Sequence, residues 1–189
     1  MWQALIKRRK SVLDNKSIII DKIKYMESQG KIKIDFKNKG ETNDQFSGIF
    51  SEPADPLFYE SLKALKSSVQ VILDLPDDMA SRIIPYAVSY TYGADGRMGA
   101  VISSRFIITS TGKETTISTP LTKCYAGGKD EQKCFSADTA KKLWQLEAEA
   151  RRYLAGDRAQ QNLFDEEQPK AEQEAGPALN EPEPPAIEA

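Results

Sequence analysis

The sequence predicts an α+β domain. It has an antiparallel sheet of about five strands, flanked by N- and C-terminal helices, and a disordered acidic tail. Three observations carry this. In several short stretches apolar residues recur at every second position, with turn residues between the stretches. Near both ends of the first 156 residues they recur instead at three- and four-residue steps. After Gly156 the composition turns to Glu, Gln, Ala and Pro, with too few apolar residues to bury a core. The expected organisation is a single domain over residues 1–156, with a basic N-terminal helical region, and a tail over 157–189. An OB-like barrel is the alternative, because a helix between the third and fourth strands suits that fold.

Each element has its own reason. Trp2, Leu5, Ile6, Val12, Leu13, Ile19, Ile20, Ile23 and Met26 form one stripe, so residues 2–29 read as helix, ended by Gly30; Ser17 is a candidate cap for a second segment. Residues 31–36, KIKIDF, alternate strictly and read as a half-buried strand with Ile32, Ile34 and Phe36 on one side. QFSGIF at 45–50 is a short strand. Asp55 as cap and Pro56 in the first helical position start a helix through Leu57, Leu62 and Leu65. VQVILDL at 69–75 reads as a strand, and a short helical turn follows Pro76. YAVSYTY and MGAVISSRFIIT flank the turn residues Asp95 and Gly96 and read as a hairpin. TTISTPLTKCY follows, with Pro120 restricting it to a sheet edge. Ser136 or Asp138 caps the last helix, Leu143, Trp144, Ala150 and Tyr153 supply its apolar face, and Gly156 stops it.

Composition narrows the chemistry. The chain has no histidine and only two cysteines, Cys124 and Cys134. That removes Ser-His-Asp and Cys-His catalysis and the usual four-ligand zinc site within one chain. The two cysteines are expected to be reduced thiols flanking a loop. No apolar run approaches the roughly 20 residues that span a bilayer. MWQALIKRRKSVLD places its basic residues after a short apolar patch, the reverse of a secretory signal. A cytoplasmic, non-enzymatic protein without a cofactor is expected.

The net charge of −2 hides an asymmetry: residues 1–39 hold eleven Lys/Arg against four Asp/Glu, and residues 165–189 hold one Lys against eight Asp/Glu. Lys7, Arg8, Arg9 and Lys10 form one basic cluster; Lys31, Lys33, Lys37 and Lys39 form another around a strand. Such clusters neutralise phosphates without reading sequence. Alternation puts Tyr86, Val88, Tyr90 and Tyr92 on one face, with Arg97 and Arg105 nearby. Tyr90 and Tyr92, flanked by Arg97 and Arg105, are therefore candidates to bind nucleic acid by stacking the bases of a single strand; the competing reading is a Tyr-rich core.

Within AQQNLFDEE, Gln160, Gln161, Asn162, Leu163 and Phe164 resemble the bacterial sliding-clamp-binding motif, in which Gln precedes two loosely specified residues, then Leu and Phe. The resemblance implies that Gln160 hydrogen-bonds at the rim of a pocket on the ring while Leu163 and Phe164 fill an apolar cleft. A short disordered peptide of this kind is expected to bind at about micromolar strength, roughly 8 kcal/mol. Together these features predict an accessory protein of DNA replication, recombination or repair, phage-like in its oddity. It would bind DNA, single-stranded DNA favoured, and be tethered to the clamp. One alternative is an inhibitor that blocks the clamp pocket without touching DNA. The other is a metal-dependent nuclease using Asp77 with Asp35-Phe36-Lys37 or Glu131-Gln132-Lys133.

Overall fold

A computed structural model describes residues 18–38, 44–94, 96–124 and 134–159. The strands are β1 (Ile18–Met26), β2 (Lys31–Asn38), β3 (Gln45–Phe50), β4 (Ile83–Tyr92), β5 (Met98–Ile107), β6 (Glu114–Ser118), β7 (Thr122–Cys124) and β8 (Cys134–Phe135). The α-helices are α1 (Pro56–Ala64), α2 (Lys66–Ile72) and α3 (Ala137–Ala155). The strands form one open eight-stranded sheet in the order β3-β2-β1-β4-β5-β7-β8, with β6 also paired to β5. Pairing is antiparallel except between β7 and β8. The mixed α+β class is as expected. The sheet is larger than expected and does not close, which overturns the OB-like alternative.

One face of the sheet carries the core. Ile20, Ile23, Ile34, Val88, Tyr90 and Ile102 pack with Phe58, Leu62 and Leu65 from the first helical segment and Leu143, Leu146 and Tyr153 from α3, all nearly inaccessible. Each fully buried Leu or Ile contributes about 1.5–3 kcal/mol. Since α1, α2 and α3 all contribute to this one cluster, they share one side of the sheet. Asp55 accepts from the Leu57 amide, and Pro56 occupies the first turn of α1. Ser136 accepts from the Thr139 amide, and Gly156, at φ +108°, ends α3. Among the described residues no helix is long and apolar enough to cross a membrane.

Two elements differ from the sequence reading. Residues 18–26 form β1, not the second half of an N-terminal helix; residues 27–29 make a single 3-10 turn, and residues 2–17 of that expected helix lie outside the described residues. Asp21 sits in a β-bulge, between the pairs Ile20–Phe36 and Lys22–Asp35. The extra residue puts Ile18, Ile20 and Ile23 all on the core face, so their spacing mimics a helical stripe. Gly30, at φ +61°, turns β1 into β2. Residues 69–75 are the other difference: Lys66–Ile72 is helical. Leu65, Ser68 and Val69 are buried at helical steps, whereas the Val71 that alternation would bury is 69% exposed.

Candidate nucleic-acid interface

The face of the sheet opposite the helices is the candidate site. Along β2, Ile32, Ile34 and Phe36 are buried, so Lys31, Lys33, Asp35 and Lys37 project from the other side. On β1 their cross-strand neighbours are Met26 beside Lys31, Lys24 beside Lys33, Lys22 beside Asp35 and Ile19 beside Lys37. Lys22 and Lys24 in turn face Ser89 and Ala87 on β4, whose partners on β5 are Val101 and Ser103. Ser103 and Ser118 share a hydrogen bond at 3.1 Å. The result is a lysine-rich strip over β1 and β2 that grades into small hydroxyl residues over β4, β5 and β6. Among the described residues no helix packs on this face.

The charges are only partly neutralised. Lys33 approaches Asp35 at 3.5 Å, and Lys37 pairs with Asp21 at 3.0 Å. The bulge that turns Asp21 outward makes the second pair. Lys22, Lys24 and Lys31 have no carboxylate in ion-pair reach among the described residues. Lys24 lies directly across from Lys33, a like-charge pair that costs about 0.2–1 kcal/mol. A hollow of about 540 Å³ opens between these side chains, bordered by Asp21, Lys22, Lys33, Asp35, Ser47 and Ser89.

The aromatic residues are redistributed by a second bulge, in β4 between Pro85 and Ala87. It turns Tyr86 out onto the lysine face, where Lys24 Nζ lies 5.8 Å from the ring centroid. Tyr86, Val88, Tyr90 and Tyr92 therefore do not share a face. Tyr90 belongs to the core at 3% exposure, and its hydroxyl donates to the Leu143 carbonyl at 3.1 Å. It cannot stack a base, which corrects the sequence reading. Burial pushes its hydroxyl well above the ordinary value, with Glu147 adding to the effect. Tyr92 lies on the helix side beside Glu147; burial and that carboxylate raise its pKa as well.

The remaining expected contacts scatter. Arg105 is on the open face, but Glu27 and Glu114 both bind it, so its charge is spent within the sheet. Arg97 closes the β4–β5 hairpin, its carbonyl accepting from Gly93. Lys7, Arg8, Arg9, Lys10, Lys39, Gln160, Leu163 and Phe164 lie outside the described residues. Ala159, the last described residue before the docking peptide, donates to the Pro53 carbonyl, and Arg158 stacks 3.8 Å from the Tyr153 ring centroid while pairing with Glu52. The described fold therefore continues three residues past the expected boundary at Gly156.

For the nuclease alternative, Asp35 and Lys37 sit on the lysine face, whereas Asp77 accepts from Gln70 at the end of α2; Glu131 and Lys133 are outside the described residues. Among the described residues no three His, Cys, Asp or Glu side chains gather as a metal site would need. Cys124 and Cys134 are free thiols on the adjacent strands β7 and β8; burial, then the neighbouring Cys134, raises the Cys124 pKa.

Lys22, Lys24 and Tyr86 are the residues that sequence reasoning missed. A usable signal was present: Ile18-Ile19-Ile20 is a β-branched run, and Gly30 separates two isoleucine-rich segments as a hairpin turn would. Searches against protein-family models, curated proteins and solved structures found no match.

Proposed function

We propose that this chain is a DNA-binding accessory protein of replication, recombination or repair that engages single-stranded DNA with the open face of its sheet and docks on a sliding clamp through Gln160, Leu163 and Phe164. The observation that carries the reading is the strip of Lys22, Lys24, Lys31 and Lys33, of which only Lys33 has a carboxylate in ion-pair reach among the described residues. Lys24 and Lys33 are set opposite one another at a cost in stability, and most of the strip lacks carboxylate partners. A polyanion laid across β1 and β2 relieves that repulsion and releases counterions. Tyr86 supplies a half-buried aromatic ring at the edge of the strip, beside Lys24, as a candidate stacking partner for a base. The hydroxyl residues Ser89, Ser103 and Ser118 add uncharged phosphate partners.

The docking peptide supports the second half of the proposal. It begins directly after the segment that Ala159 and Arg158 hold against the fold. A micromolar tether combined with DNA contact acts as two linked sites. The test is fluorescence anisotropy with labelled single-stranded and duplex oligonucleotides across a salt series. The proposal expects tighter single-strand binding with a steep salt slope. An absence of binding to either at low salt would refute it and favour the clamp-blocking alternative.

A further inference from the structure

Among the described residues the edge strand β3 has a free side, and its composition suits it to pairing with itself. Among the described residues β3 hydrogen-bonds only to β2. The Asn38 amide donates to the Asp44 carbonyl at 2.9 Å, which fixes the phase of the ladder. Asp44–Asn38 is a directly exchanging pair, so Phe46–Phe36, Gly48–Ile34 and Phe50–Ile32 are too. The backbone N–H and C=O groups of Gln45, Ser47 and Ile49 therefore point away from β2. Natural edges are usually blunted by charge, proline or brevity. β3 spans six residues, QFSGIF, with no charge and no proline. Phe46 is 46% exposed and Ile49 62%.

We propose that β3 is a homodimer interface, joining two copies into one continuous sheet by antiparallel pairing centred on Ser47. A two-fold axis perpendicular to the sheet keeps paired residues on the same face, so the register must pair residues of equal parity. Centring on Ser47 pairs Gln45 with the partner's Ile49, Ser47 with the partner's Ser47, and Ile49 with the partner's Gln45. Every outward N–H and C=O is then used, about six hydrogen bonds in all. On the helix side Phe46 falls opposite the partner's Gly48. No charged residue opposes another across the seam. The two β2 strands lie about 14 Å apart, three strand spacings, beyond the screening length of about 8 Å at physiological salt.

The dimer has a consequence that rests on the nucleic-acid reading: both lysine strips come to lie on the same side of one sheet. The hollow bordered by Asp21, Lys33 and Ser47 reaches β3 itself, so in the dimer it lies next to the seam. The pairing itself stands without DNA. A ladder this short lies at the small end of specific interfaces, so dissociation is expected in the range of about 10–100 µM.

The experiment uses the full chain without DNA: sedimentation velocity over a concentration series, with residue-resolved amide hydrogen exchange at its two ends. The expected result is a monomer–dimer equilibrium in which exchange slows with concentration at Gln45, Ser47 and Ile49, while Phe46, Gly48 and Phe50 stay protected throughout. Ser47→Pro removes an outward N–H that β2 does not use, and Ser47→Lys keeps the backbone while placing two lysines opposite each other at the axis. Both variants should be monomeric with unchanged circular dichroism. Three results would each overturn the proposal. One is a monomer at every concentration. Another is a dimer that survives Ser47→Lys. The third is concentration-independent protection of Gln45, Ser47 and Ile49, which would mean that the chain covers its own edge. DNA affinity enters none of these readouts, so loss of the DNA reading and loss of the dimer are distinguishable.

Discussion

Replacing Lys22, Lys24 and Lys31 together with Gln separates binding from folding. These three lysines lack carboxylate partners among the described residues, so their charge is available to phosphate. Each phosphate neutralised contributes about 0.7 to the log–log salt slope on a single strand, so the triple variant should lose about 2 units of slope. Taking the two proteins to converge at 1 M salt, the loss in affinity is about 500-fold at 50 mM and about 30-fold at 200 mM. Stability should barely move. Removing Lys24 relieves its repulsion with Lys33, worth about 0.2–1 kcal/mol, and forfeits its contact with the Tyr86 ring, worth about 0.5–1 kcal/mol. The two nearly cancel. The assay is anisotropy from 50 to 300 mM salt, with urea melts run in parallel. An unchanged salt slope in a folded variant would refute the assignment of the strip, whatever the absolute affinity.

Tyr90→Phe removes a buried hydroxyl but leaves the Leu143 carbonyl in place, so it should cost about 1–2 kcal/mol in urea melts while DNA affinity stays unchanged. The raised hydroxyl of Tyr90 also sets an alkaline limit: its stabilisation is fully present below the ordinary value of 10.0 and is lost as the pH rises above it, because the unfolded chain ionises first. Tyr90→Phe should flatten that decline. Ser136→Ala, which removes the cap on the Thr139 amide, should lower stability by about 1 kcal/mol, again without effect on binding. Leu163→Ala with Phe164→Ala should abolish clamp pull-down and leave the melting temperature unchanged; retention of the clamp by the folded variant would reject the docking motif.

The sequence revealed those elements whose signals were local. Ile32, Ile34 and Phe36 alternate without interruption, so both β2 and the outward direction of Lys31, Lys33 and Lys37 were legible. The caps at Asp55 and Ser136 and the stop at Gly156 marked α1 and α3. What was hidden came from register shifts. A single inserted residue at Asp21 disguised β1 as a helical stripe and concealed Lys22 and Lys24 with it. The bulge after Pro85 reversed Tyr86 relative to Tyr90, and with it the question of which tyrosine faces solvent. Strand-like alternation in VQVILDL lost to the continuation of a helix from Lys66, where packing of Leu65 and Val69 decides the outcome. Bulges are set by pairing between distant strands, and one strand's own pattern does not contain them.

The open face is most directly tested by following backbone and side-chain NMR signals as a single-stranded oligonucleotide is added. The largest shifts should fall on Lys22, Lys24, Lys31, Lys33, Tyr86 and Ser89, with Tyr90, Tyr92 and the exposed side of α3 unmoved. Shifts confined to the helices, with the lysine strip silent, would contradict it.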